Sequence, residues 1–89
     1  GSGQCSAQLS LTSKERELVI DNVKGGREAD VADISVGLEV PKGVELLRLP
    51  DSVLVEAKAL EGCQYFDAGD QIAIVDPDED KIVLLIDKS

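Results

Sequence analysis

The sequence predicts an α+β fold, in which one N-terminal helix packs on a small, mainly antiparallel sheet that ends in a β-hairpin. Three patterns predict it: a helix-capping pattern that begins at Thr12, apolar alternation over residues 31–40, and two apolar strands, 71–75 and 81–87, around an Asp-Pro loop. The 89 residues allow one domain at most. Ring side chains are almost absent, so aliphatic side chains must fill its core.

The helix is predicted over residues 12–24. Thr12 is a good N-cap and Glu15 follows three residues later, so each side chain can satisfy a backbone N–H at the other's position. An apolar stripe then follows, formed by Leu18, Val19, Ile20 and Val23. Gly25-Gly26 is expected to stop the helix, because glycine takes the left-handed conformation without a Cβ clash.

Residues 31–60 predict a mixture of strands and an ambiguous segment. Residues 31–40 predict a half-buried strand, and one of its faces would carry Ile34, Val36, Leu38 and Val40. Residues 44–49 suggest a second short strand, which Pro50 would limit. Residues 51–60 leave two alternatives open, because their first half suits a strand and their second half has helical propensity.

The C-terminal third predicts a series of hairpin strands. The expected order is strand 63–66, turn 67–70, strand 71–75, loop 76–80 and strand 81–87. Residues 82–86 are apolar without a break, so both faces of the last strand are expected to be covered.

Composition excludes several classes of partner. The chain has 18 acidic and 9 basic side chains, a net charge of −9, whereas nucleic acids and anionic membrane surfaces attract clustered Lys and Arg. No apolar run approaches the ~18–20 residues of a membrane helix. Residues 1–10, which begin Gly-Ser-Gly, are expected to be a tag remnant and flexible tail, and residues 11–89 the domain. Since the chain has no Met, we expect that the native N-terminus has been cut or replaced. An exported protein would have lost its signal peptide in this way, so the absence of one here decides nothing.

Two groups of residues form a recognisable pattern. The first comprises Ile34-Ser35-Val36-Gly37, Val40-Pro41, Val44-Glu45-Leu46 and Leu49-Pro50, and the second comprises Gly62-Cys63-Gln64-Tyr65-Phe66, residues 70–77 and Lys81-Ile82-Val83. Together with the helix start at residues 11–16, they resemble the domain-of-unknown-function 1236 family of alphaproteobacteria over residues 11–87. The resemblance implies a similar fold and a periplasmic or secreted protein. It implies no chemistry, since no activity is established for that family.

In its last two strands the family is similar to the periplasmic RcnB-like proteins, which are linked to nickel and cobalt homeostasis. The sequence departs from the family pattern at two places. Cys63 stands where an aromatic residue is usual, and Asp78-Glu79-Asp80 stand where basic or Thr residues are usual.

Acidic side chains cluster in loop 76–80. Asp76, Asp78 and Asp80 alternate, and Asp87 lies eleven residues after Asp76, which imitates the ligand spacing of a calcium loop. Lys81 stands where that loop requires Gly, so we expect no tight Ca²⁺ site. Two alternatives remain: a solvated hairpin loop, which we prefer, and a looser divalent-cation site formed by Asp76, Asp78, Glu79 and Asp80.

Cys5 and Cys63 permit one disulfide or two free thiols. We expect free thiols by a narrow margin, because Cys5 lies in a polar tail outside the resemblance and a bridge needs Cα atoms within ~7 Å. A zinc site takes about four N or S ligands, so a chain with two cysteines and no His is not expected to form one.

No catalytic residue is expected, because the chain has no His to act as general base and Cys63 has no neighbouring base or cation. Tyr65 and Phe66 are candidates for an interaction site, since aromatic side chains anchor interfaces. In a strand they point to opposite faces, so we expect one in the core and the other at least partly exposed. The sequence therefore predicts a non-catalytic exported module that binds an unknown protein or envelope component without a cofactor. A divalent-cation-binding protein of the envelope is the alternative.

Overall fold

The computed structural model describes Cys5, residues 9–23 and residues 34–88. The elements in chain order are helix α1 (Ser13–Val23), strand β1 (Leu47–Arg48), helix α2 (Asp51–Glu56), a 3-10 turn (Lys58–Leu60), and strands β2 (Gln64–Asp67), β3 (Gln71–Asp76) and β4 (Lys81–Asp87). The strands form one antiparallel sheet in the order β1-β2-β3-β4. The predicted α+β fold, with a helix before a sheet that ends in a hairpin, is confirmed.

Helix α1 begins at the predicted capping box. The backbone N–H of Thr12 donates to Glu15 Oε1 (2.9 Å), and the backbone N–H of Glu15 donates to Thr12 Oγ1 (3.2 Å). Side chains thus satisfy two N–H groups that lack a partner within the helix. Val19 and Val23 are the buried residues of the helix. The predicted helix end and glycine stop, at residues 24–26, lie outside the described residues.

The predicted β3–β4 hairpin is confirmed, with each strand within one residue of its predicted range. The register shifts between Ile74 and Val75, and Val83 on the opposite strand has no partner. This β-bulge puts Val83 and Leu84 in the same apolar cluster, although neighbours in a regular strand point to opposite faces.

Both faces of the sheet are covered, each by its own apolar cluster. The helix-side cluster joins α1, α2 and the 3-10 turn to the sheet residues Tyr65, Ile72, Ile74, Val83 and Ile86. The loop-side cluster contains Phe66, Ala73, Val75 and Ile82, against which Ile34, Val40, Val44 and Leu46 pack half-buried. The expectation that the apolar run 82–86 is covered on both faces is therefore confirmed.

The predicted strand over residues 31–40 is wrong in the part that the structure describes. Residues 34–40 contain only one isolated bridge and no strand. Gly37 has a φ of +95°, a conformation that favours glycine, and the N–H of Leu38 donates back to the carbonyl of Ser35 (3.2 Å). The chain therefore turns here. Alternation alone does not distinguish a strand from a turning segment whose apolar side chains are buried only at its ends.

Residues 44–60 contain less strand than the pattern suggested. The strand expected at 44–49 shrinks to β1, and the helical alternative for residues 51–60 is realised as α2 and the 3-10 turn. Val53, Ala57 and Leu60 are fully buried, and their spacing of four and three residues puts them on one side of a helical path. Tertiary burial decides the structure where the local pattern was ambiguous.

Candidate functional site

The acidic loop between β3 and β4 is a hydrogen-bonded turn. Asp76 Oδ1 accepts from the backbone N–H of Asp78 (3.0 Å), and the Asp76 carbonyl accepts from the N–H of Glu79 (3.3 Å). Asp80 adopts a positive φ of 54°. One carboxylate of the cluster therefore shapes the turn, as short acidic side chains often do, while Asp78, Glu79 and Asp80 are exposed.

This geometry does not assemble a cation site. Asp87, the residue that imitated the last ligand of a calcium loop, lies opposite Gln71 at the far end of β4. Six residue steps along a strand span roughly 20 Å, so Asp87 is remote from the turn. Within the described ranges, no three His, Cys, Asp or Glu side chains are grouped so that they could hold a metal ion.

Tyr65 and Phe66 lie on opposite faces of β2, as predicted, but neither ring is presented to a partner. Tyr65 is 8% exposed in the helix-side cluster, and Phe66 is 2% exposed in the loop-side cluster. The expectation that one of them would be at least partly exposed is wrong. Both rings are buried because α1 and α2 cover the face that carries Tyr65, and residues 34–46 cover the face that carries Phe66.

Cys5 and Cys63 form a disulfide, so the expectation of two free thiols is wrong. Their Cα atoms are 4.9 Å apart, within the range that a bridge requires. Leu11, the first residue of the predicted domain, is buried, and the tail residue Leu9 packs half-buried against the helix-side cluster. These two leucines dock the segment before α1, and Cys5 Sγ reaches 3.5 Å from the carbonyl oxygen of Val75. Within the described part of residues 1–10, the disulfide and this packing hold Cys5 and Leu9 against the domain.

An ion pair that the sequence analysis missed joins the β2–β3 turn to the C-terminal end. Asp67 is buried, and its Oδ1 accepts from Lys88 Nζ (2.6 Å) and from the backbone N–H of Gly69 (2.9 Å). The backbone N–H of Lys88 also donates to the carbonyl of Asp70 (3.0 Å). An Asp two residues before a Gly is a signal for the turn contact. No local signal identifies Lys88 as the second partner, since it lies 21 residues away.

Among the described residues, Tyr65 is the group whose pKa is clearly shifted by its environment. Burial removes water from the phenol and raises the pKa of Tyr65 above its ordinary value of 10.0, and the negative charge of Asp67 adds to that rise. Both causes disfavour the phenolate, so the ring is neutral at neutral pH. Tyr65 therefore has the properties of a core residue and not those of a general base.

A surface groove between α1 and α2 has a volume of about 560 Å³. It is lined by Thr12, Lys14, Glu15, Glu17, Leu18, Asp21, Ser52 and Glu56. Ser52 Oγ donates to Asn22 Oδ1 (3.0 Å) and ties the two helices together beside it. None of these lining side chains is buried, whereas a substrate site buries most of its ligand around a few convergent polar groups.

Three large apolar side chains of the described residues are exposed, and two of them lie close together in the chain. Val36 is 54% exposed and Leu38 is 47% exposed, in the turn that crosses the outer side of β4. The third is Val55 on α2, at 68%. Val36 and Leu38 lie two residues apart in the chain, whereas Val55 lies on another element, and we call residues 36–38 the 36–38 patch.

No helix in the described part of the chain is long and apolar enough to cross a membrane. Comparisons of the chain with protein-family models, with curated proteins and with solved structures give no match. The family resemblance and the localisation that it implies therefore stay predictions.

Proposed function

We propose that this chain is a non-catalytic interaction module that works outside the cytoplasm by binding another macromolecule. The 36–38 patch carries the proposal, because two of the three exposed large apolar side chains among the described residues lie there, two positions apart, and apolar side chains grouped on a surface mark contact sites. The acidic and phenolic side chains considered above each have a structural role that accounts for them. Asp76 shapes a turn, Asp67 is paired with Lys88, and Tyr65 is buried and neutral.

The disulfide supports the part of the proposal that locates the protein outside the cytoplasm. Disulfides persist in oxidising compartments and are rare where cellular thiols keep cysteines reduced. Cys5–Cys63 joins a short tail to the domain in a chain whose core has few large side chains. Cells that naturally produce the protein should yield no free thiol on it after acid quenching and alkylation. Two alkylated cysteines per chain would contradict an oxidising location.

A photo-cross-linking experiment tests the interaction function. A photoreactive amino acid replaces Leu38 in one variant and Val55 in the other, and both are expressed in the native host. Both positions are exposed and apolar, so they form a matched pair. We expect a discrete protein adduct from position 38 that is not obtained from position 55. No adduct at either position, or the same adducts at both, would contradict the proposal.

A further inference from the structure

Among the residues that the structure describes, the outer edge of β4, the side that faces away from β3, is only partly paired. Segment 37–40 runs along its beginning: the N–H of Gly37 donates to Ile82 O (2.7 Å), the N–H of Ile82 to Leu38 O (2.9 Å), and the N–H of Val40 to Asp80 O (2.8 Å). β4 continues through Asp87 and is the last strand of the sheet. Beyond Ile82, no described residue forms a ladder with this edge.

An unpaired edge presents backbone N–H and C=O groups in a row, which only another extended backbone can match. Natural edge strands are usually protected by Pro or by charged side chains. Residues 82–86 read Ile-Val-Leu-Leu-Ile and contain neither. The bulge at Val83 is a partial protection, but four residues follow it in the strand. The open edge, residues 83–87, therefore suits the addition of one more strand.

The 36–38 patch lies where the covered part of the edge ends. Gly37 bonds to Ile82, so Val36 and Leu38 flank the point at which the open edge begins. A strand added there would meet exposed apolar side chains next to backbone groups that no described residue pairs. This combination explains in one contact why both features are left on the surface.

Charge distinguishes between two possible occupants of the open edge, a second copy of this chain and a basic segment of another protein. Three acidic residues at or beside the two ends of β4 are exposed, Glu39, Asp80 and Asp87, and Lys81 is the exposed cation among them. The amine of Lys88 is held by Asp67. Each chain carries −9, so a second copy would be repelled, whereas a basic segment would be attracted.

We propose that the open edge of β4 accepts an extended segment of a partner protein in which apolar residues alternate with Lys or Arg. The segment pairs its backbone with residues 83–87 and packs apolar side chains on the 36–38 patch. This inference rests on the proposed interaction function and names the chemistry of its partner.

The test uses a blocked nine-residue peptide of alternating Val and Lys with the full, disulfide-bonded chain. NMR-detected amide exchange is measured with and without peptide. We expect the outward-facing amides of residues 83–87 to exchange at least about tenfold more slowly when the peptide is bound. A Val–Glu peptide should bind at least about tenfold more weakly, because its charge is reversed. The Val–Lys peptide with Pro at its centre should also lose binding, because Pro removes a backbone donor.

Protein variants locate the contact. Leu38→Asp should weaken binding of the Val–Lys peptide about tenfold or more, whereas Val55→Asp, the same charge introduced at an exposed apolar position on α2, should leave it unchanged. Equal effects of the two variants would overturn the proposal.

Three other results would also overturn it. They are no slowing of exchange at millimolar peptide, protection of the same amides in the free monomer, and protection that rises with protein concentration together with a dimer mass in sedimentation. The second result would mean that the chain covers its own edge, and the third that a second copy does. None of them bears on the cross-linking result at position 38, so the proposed function is tested separately.

Discussion

Asp67 shows how one residue can hold two distant parts of the chain. It follows the aromatic pair in β2, accepts the N–H of Gly69 in the turn, and pairs with Lys88 after β4. A buried carboxylate without a partner costs several kcal/mol. Asp67 is tolerated in the sheet because both of these donors converge on its Oδ1.

Replacing Asp67 with Asn should destabilise the domain by about 2 kcal/mol, because the amide keeps an acceptor for Gly69 but leaves the half-buried amine of Lys88 without its counter-charge. Urea unfolding followed by circular dichroism measures the change. Asp70→Asn is the matched control, since Asp70 is exposed and only its backbone carbonyl is used. Equal losses in the two variants would show that the ion pair contributes nothing specific.

The ionisation of Tyr65 can be followed directly by absorbance, because it is the single Tyr in a chain without Trp. Its pKa is raised in the folded state, first by burial and then by Asp67. Absorbance at the phenolate band should therefore show ionisation above pH 10 in the native protein and near pH 10 in urea.

The raised pKa of Tyr65 also makes the free energy of unfolding depend on pH. The contribution is fully present below pH 10, the unfolded value, and is lost as the pH rises through the folded pKa, because the unfolded state then ionises first. Tyr65→Phe should remove this component of the alkaline decline in stability. An unchanged pH profile in Tyr65→Phe would contradict the assignment.

At the scale of elements, the capping box is the clearest link from sequence to structure. Thr12→Ala removes the acceptor for the N–H of Glu15 and should lower the free energy of unfolding by about 1 kcal/mol. Ser13→Ala, one position further on, is the control and should change it by less than about 0.5 kcal/mol. The comparison is made by urea unfolding at neutral pH. A control variant that loses as much as Thr12→Ala would contradict the cap.

Elements with a local cause were predictable, and elements fixed by distant contacts were not. The start of α1 follows from Thr12 and Glu15, and β4 follows from its own apolar run. Residues 34–40 have a strand's alternation, but their conformation depends on the turn at Gly37 and on β4 beside them. The same reason applies to the proposed site: which strand edge the described residues leave unpaired depends on the assembled sheet and leaves no motif in the sequence.

At the scale of the whole molecule, the disulfide links the segment before α1 to the start of β2. The two cysteines are 58 residues apart, so the bond encloses α1, β1 and α2. In the chain-entropy account, a loop of that length restricts the unfolded state by about 4 kcal/mol. This is a large share of the 5–15 kcal/mol that stabilises a typical domain.

A variant with Cys5→Ala and Cys63→Ala should therefore lose about 4 kcal/mol in urea unfolding, or unfold outright if the native protein lies at the low end of that range. Reductant should destabilise the native protein to a similar extent and leave the variant unchanged, which separates the bond from other effects of the reagent. Thiol counting in denaturant without reductant should find no free thiol, and the protein should run as a monomer in non-reducing electrophoresis. Two free thiols per chain would mean that the tail is held by Leu9 and Leu11 alone, and a ladder of dimers would mean that Cys5 bonds between chains.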